Sequence, residues 1–205
     1  MTRTVAAFDF DGTLTRRDSL LPFLYGVVPR VELARTLALE TPALARIAVG
    51  RGDRDAAKER FLARVLAGRR HDDIVDAGGV YAARLARDEI TPEMRARLAW
   101  HRREGHDVVI VSASLDVYIV EVARNLGVEH ALCTSLEVDH GGLVTGRLLG
   151  GNCRGPEKAN RLRSHLGDDD VVLWAYGDSS GDAEMLAMAD HPMKVRRGRL
   201  AGTGG

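Results

Sequence analysis

Residues 5–10, VAAFDF, form a short, nearly continuous apolar run that is cut off by Asp11-Gly12-Thr13. A run this brief and apolar at consecutive positions suits a strand buried on both faces, and a sheet covered by helices on both sides provides that environment. Further runs at 107–111, 130–134, 171–176 and 193–195 read as strands of the same kind. Between them lie helical stretches. Residues 93–103 follow Thr91-Pro92 and stop at Gly105, residues 115–126 follow Ser114 as a cap and stop at Gly127, and 157–166 and 182–189 complete the set. Residues 136–149 alternate around Gly141-Gly142 as a β-hairpin would. Alternating strands and helices predict an α/β fold, a doubly wound parallel sheet with right-handed crossovers and a ligand site beyond the carboxyl ends of its strands.

Residues 20–87 break this rhythm. They are rich in Ala, Leu and Arg, have apolar residues at helical spacing, and are punctuated at Pro29, Pro42, Gly50-Arg51-Gly52 and Gly68, so three or four helices are expected. Inserted after the first strand, they belong at the ligand end of the sheet, as a cap. The predicted division is a core of residues 1–15 plus 91–200, a cap of 16–90, and a flexible tail of 201–205, with fraying from Gly198 onward.

Lys and Arg balance Asp and Glu at 29 each, so no global field favours a nucleic-acid partner. Residues 16–88 alone carry an excess of four positive charges, which suits a solvated Arg-rich surface or a mild attraction for anionic substrates. The most apolar stretch, 20–49, is interrupted by Arg30, Glu32, Arg35, Glu40 and Arg46 and is no simple membrane span. Cys133 and Cys153 fit no metal or disulfide framework, and the first residues lack the pattern of a signal peptide, so a reducing cytoplasm is expected. The seven histidines show no paired ligand spacing.

The chemistry-bearing residues fall at the predicted strand ends. Asp9 and Asp11, two apart on a strand, are expected to face one pocket, a pairing suited to nucleophilic attack by one carboxylate and proton transfer by the other. Ser112, before a helix start, brings a hydroxyl and free backbone N–H groups able to grip phosphate oxygens. Lys158 brings a cation. Gly177-Asp178-Ser179-Ser180-Gly181-Asp182 adds hard oxygen donors of the kind magnesium prefers. Each cluster alone is explained by a cap or a solvated turn. Four at successive strand ends are not.

In this order, Asp9-Phe10-Asp11-Gly12-Thr13, Ser112, Lys158 and the segment from Gly177 to Asp182 resemble the four motifs of the haloacid dehalogenase (HAD) superfamily. The helical insertion after the first motif is similar to subfamily IB, which includes phosphoserine phosphatases. The resemblance implies a Rossmann-like core and a Mg2+-dependent phosphatase acting on a small phosphomonoester through an aspartyl-phosphate. It implies Asp9 as nucleophile and Asp11 as acid and base; Asp9, the Asp11 carbonyl and Asp178 as metal ligands, with Asp182 behind them; and Ser112 and Lys158 on the phosphoryl oxygens. Asp18 and Ala113 are candidate substrate contacts, Asp18 serving equally well as a helix cap. Asp11 argues against dehalogenation, since a halide needs no proton. Asp18 and Gly181 stand where phosphoserine phosphatases carry glutamate and asparagine, which argues against phosphoserine as substrate. A phosphotransferase or mutase using the same intermediate, and a phosphate-sensing module without turnover, are the alternatives; the presence of Asp11 and of a cap weighs against the sensor.

Overall fold

The computed structural model of the chain describes residues 2–201. One sheet holds β1 (Arg3–Phe8), β2 (Asp107–Leu115), β3 (His130–Val138), β4 (Val144–Leu149), β5 (Val171–Gly177) and β6 (His191–Lys194), in the order β4-β3-β2-β1-β5-β6. All neighbours are parallel except β3 and β4, which form the expected hairpin at one edge. The strand order reverses at β1, which is therefore where a doubly wound sheet opens its ligand crevice. Val5, Ala6, Ala7 and Phe8 are all fully buried, as the apolar run demanded. Val5 and Ala7 pack with Leu162, Leu166 and Met185 on one face, while Ala6 and Phe8 join Met94, Leu98 and Ile119 on the other.

The covering helices are α5 (Pro92–Arg103), α6 (Asp116–Asn125), α7 (Pro156–Leu166) and the short α8 (Ala183–Ala187). Thr91 caps α5 by accepting from the Met94 N–H, and Pro92 follows at the first helical position, where its missing N–H costs nothing. Four helices separate β1 from α5: α1 (Leu20–Val27), α2 (Arg30–Ala48), α3 (Arg54–Leu66) and α4 (His71–Arg84), the last continued by wider turns over Leu85–Glu89. The chain enters and leaves this unit side by side. Thr15 and Ile90 form an antiparallel bridge, and the Thr91 N–H donates to the Leu14 carbonyl at 3.1 Å. A second seam ties the unit to the β3–β4 hairpin, where Gly68 N–H donates to Val144 (2.8 Å), Val144 N–H to Arg69 (2.9 Å) and His71 N–H to Gly142 (2.9 Å). Between α4 and α6 the backbones nearly touch: a Cβ on Gly78 would lie 2.0 Å from the Val117 carbonyl oxygen.

Phe23, Leu24, Leu33, Leu62, Leu66 and Ile74 of the inserted helices form one continuous apolar cluster with Phe8 and Ile110 of the sheet and Phe10 just beyond β1. The apolar content of α1 is therefore spent on packing. Among the described residues no helix is long and apolar enough to cross a membrane.

Two expectations fail. Pro42 does not punctuate the insertion but lies inside α2. It is exposed, so the carbonyl that loses its helical donor remains open to water. Residues 198–201 are not frayed: Gly198 N–H donates to the Gly12 carbonyl (2.9 Å), Thr91 Oγ1 donates to the Gly198 carbonyl (2.7 Å), and Leu200 bridges Val195. The remainder of the predicted tail, 202–205, lies outside the described residues.

Candidate active site

β1 stops at Phe8, one residue earlier than a strand carrying both acids requires. Asp9 is held at the crevice because its N–H donates to the Tyr176 carbonyl at the end of β5 (2.9 Å), while the Phe8 and Tyr176 rings stack beneath at 4.1 Å. A tight turn over Phe10–Leu14 follows, with Gly12 at φ 81°. Asp9 and Asp11 thus line the same cavity, though by way of this turn and not by strand alternation. A Cβ on Gly12 would lie 2.2 Å from Asp178 Oδ2, so only glycine lets the backbone approach that carboxylate so closely.

Asp9 is buried, and its Oδ1 accepts from Lys158 Nζ at 2.7 Å; the same ammonium donates to Asp182 Oδ1 at 2.5 Å. Lys158 lies in the first turn of α7, directed inward from its helix start. Asp182 organises the loop after β5: its Oδ2 accepts from the N–H groups of Asp178 (3.2 Å) and Ser179 (2.9 Å) and from Ser179 Oγ (2.9 Å). Asp9, Asp178 and Asp182 each present an oxygen within 4.8 Å of the others, a cluster of hard donors able to hold a divalent cation. Burial, reinforced by the repulsion of Asp182, holds Asp9 above the usual carboxylate range despite Lys158. Burial and the charge of Asp9 push Asp178 up to about 6. Burial works to lower Lys158, but the two carboxylates it contacts outweigh that and hold it raised.

Asp11 belongs to a different network. Its Oδ2 accepts from Ser114 Oγ (2.5 Å) and its Oδ1 from the Ser19 N–H (2.7 Å). Burial and the neighbouring charge of Asp18 push it up to about 7. Ser114 was expected to cap a helix; instead β2 runs on to Leu115 through an irregular register after Ser112, α6 starts after Leu115, and the hydroxyl of Ser114 is free for Asp11. Ser112 itself is buried and accepts from the Ser114 N–H (3.0 Å), while Ala113 and Ser114, not Ser112, line the cavity. Asp18 lines it as well, and also accepts from the N–H groups of Leu20 (3.0 Å) and Leu21 (3.4 Å), so it does cap α1.

Lys58 of α3 is a residue the sequence reading passed over. It reaches down from the inserted helices to the Ala113 carbonyl and to Asn152 Oδ1 (2.8 Å), and burial pushes it down to about 8. Nothing in its local sequence distinguishes it from the other cations of an Arg-rich helix. Only the packing of α3 over the sheet does so. Together these residues surround a cavity of about 530 Å³.

The chain matches the haloacid dehalogenase-like hydrolase family over residues 6–187. It is 38% identical over 199 residues to the protein CicA of Caulobacter vibrioides, covering 96% of this chain and 88% of that one. It is 30% identical over 207 residues to a probable phosphatase of Mycobacterium tuberculosis, covering 96% and 70%. A phosphoserine phosphatase crystallised in apo form superposes with a TM-score of 0.63 at 18% identity, covering 94% and 85%, a likeness of fold. With the match running from β1 through the inserted helices to α8, over most of the chain, the chain belongs to the haloacid dehalogenase-like hydrolase family.

Proposed function

We propose that this hydrolase is a phosphatase that removes phosphate from a small organic monoester through an aspartyl-phosphate on Asp9. The observation that carries the reading is the division of labour between two buried carboxylates in one cavity: Asp9 lies against Lys158 in the Asp178–Asp182 cluster, and Asp11 stands apart on Ser114 and Ser19. In the first step an Asp9 oxygen attacks phosphorus, the bond to the leaving oxygen breaks, and Asp11 gives that oxygen its proton. In the second, Asp11 takes a proton from a water that attacks the phosphoryl group and returns Asp9. A carboxyl pushed up to about 7 is poised to give and to recover a proton near neutrality. Lys158 offsets the repulsion between a phosphoryl dianion and the attacking carboxylate.

Magnesium fits this set of residues. Asp9, Asp178 and Asp182 bring three carboxylates together against one ammonium, and the burial that raises Asp9 and Asp178 is what a divalent cation would relieve. Asp9, Asp178 and the Asp11 carbonyl would hold it, with Asp182, already accepting four hydrogen bonds, behind them. Bound there, it would supply charge neutralisation at the phosphoryl oxygens. Ser112 acts through Ser114, whose N–H it receives at 3.0 Å, and so fixes the end of β2 where Ala113 and Ser114 line the cavity. The pinched stem at Thr15 and Ile90 supports residues 16–90 as a cap over a core of 1–15 and 91–200. Cys133 and Cys153 are buried free thiols, which suits work in the cytoplasm.

Hydrolysis of p-nitrophenyl phosphate tests the reading. Asp9→Asn should abolish it, and so should chelation of magnesium. Turnover that survives either treatment rejects it.

A further inference from the structure

The mouth of the cavity carries cations that the chemistry above leaves unused. Arg16 and Arg17 come from the segment after the turn, Arg54 from the start of α3, and Arg197 from the hairpin over residues 195–200; all four line the cavity that contains Asp9 and Asp178. The acids on the same rim are engaged, Asp18 in capping α1 and Asp55 in accepting from Asn152 Nδ2 at 2.7 Å. The four guanidinium groups have no protein acceptor among the described residues.

Arg197 is the best placed of them. Its hairpin is closed by backbone hydrogen bonds in both directions between Arg196 and Arg199 (2.7 and 3.2 Å). The next residue, Gly198, is bonded to the Gly12 carbonyl, so the hairpin is fastened to the very turn that carries Asp11. Gly198 has φ 70°, and a Cβ there would lie 2.3 Å from Thr91 Cγ2, so the fastening is tight. Arg197 also has φ 51°, the one non-glycine residue at positive φ among those described. Glycine would adopt that backbone without steric cost. The two central residues of this turn, Arg197 and Gly198, both have positive φ, as a two-residue hairpin turn demands, so the backbone is fixed by the turn and the exposed Arg197 side chain, which lines the cavity with no acceptor among the described residues, is left to a group outside the chain. A guanidinium fork matches the paired oxygens of a carboxylate or phosphate.

We propose that the substrate bears a second anionic group, carboxylate or phosphate, in addition to the phosphomonoester that is cleaved, and that Arg197 binds it at the cavity mouth, flanked by Arg16, Arg17 and Arg54. The inference rests on the phosphatase reading and narrows its substrate class.

Two matched pairs test it: fructose 6-phosphate against fructose 1,6-bisphosphate, and glycerol 3-phosphate against 3-phosphoglycerate. In at least one pair the doubly anionic compound should have kcat/KM about tenfold higher, through KM, the effect expected of a hydrogen bond to a charged group. The pair that shows it tells phosphate from carboxylate. Arg197→Ala should remove that preference, and so should Arg197→Gly, which suits the left-handed backbone and so separates loss of the side chain from damage to the hairpin. Arg199→Ala removes the same charge from the same hairpin but not from the cavity lining, and should keep the preference. Calorimetric titration of Asp9→Asn protein with the same four compounds reads the preference without turnover. A wild-type protein that hydrolyses neither these four compounds nor p-nitrophenyl phosphate yet binds the doubly anionic partner more tightly overturns the phosphatase reading and upholds the second-anion site. Equal kcat/KM and equal affinity within both pairs overturn the site. Equal losses in Arg197→Ala and Arg199→Ala do so too, because they reduce it to a diffuse field.

Discussion

Gly78 and Gly79 are adjacent in α4, and alanine at the two positions should move stability in opposite directions. In a helix interior alanine is worth about 1 kcal/mol over glycine. At Gly79 a Cβ meets nothing within 4 Å, so that gain should appear in full. At Gly78 the Cβ would lie 2.0 Å from the Val117 carbonyl oxygen and 2.8 Å from its carbon. The obstacle is backbone, so no rotamer relieves it, and α4 must retreat from α6 by more than about 1 Å to restore ordinary contact. That retreat loosens the packing of Ile74, Ala82 and Leu85, all buried. Overpacking of this kind costs up to about 3 kcal/mol, leaving a net loss of about 2 after the helical gain. The two variants should therefore differ by about 3 kcal/mol, or about 6–12 °C in Tm for a chain of this size. Thermal unfolding followed by circular dichroism reads it directly. A Gly78→Ala protein as stable as the Gly79→Ala protein would refute the close approach of α4 and α6.

Other perturbations follow from the buried charges. Lys158→Met leaves Asp9 and Asp182 buried without their cation, which should cost about 3–5 kcal/mol in urea unfolding at pH 7, and less at pH 5, where the stranded carboxylates take up protons; a loss independent of pH contradicts this. Asp11, pushed up to about 7, must carry a proton to assist the leaving group, so formation of the phosphoenzyme should slow as pH rises through about 7, and Asp11→Asn should erase that limb of the profile. Its effect on stability has a definite sign: between 3.8 and about 7 the folded protein keeps a proton that the unfolded chain has released, so this group's contribution falls as pH rises through that window. His101 behaves in the opposite way. Fully buried between Tyr176 Oη and His106 Nδ1, both at 2.8 Å, it is pushed down to about 3 by burial and by His106. The unfolded chain protonates below 6.5 while the folded one does not, so stability should drop on acidification, by about 2 kcal/mol at pH 5, and His101→Gln should flatten that slope.

Strand β1 and the place of Asp9 were readable because four consecutive buried residues leave a local trace in composition. The end of β2 was misread for an equally physical reason. Ser-Ala-Ser has no apolar period, and serine before a helix satisfies a helix start as readily as it bonds to Asp11; only the distance across the sheet decides. Lys58 and Arg197 were silent in the same way, since each owes its position to a partner far along the chain, Asn152 for one and the Gly12 turn for the other. The ordered tail followed this rule too: Gly198 looks like linker until the carbonyl of Gly12 is set beside it.

The stitching of the inserted helices to the β3–β4 hairpin limits how this enzyme can breathe. A lid hung on its two connecting strands alone swings freely, whereas this one is also laced along its far margin by three main-chain bonds, with α4 lodged against α6 between them. Lifting it as a rigid body would tear that lacing at every cycle. The expected route for reactants is then the arginine-lined side of the cavity, and cross-linking the inserted helices to the hairpin should leave the turnover rate unchanged.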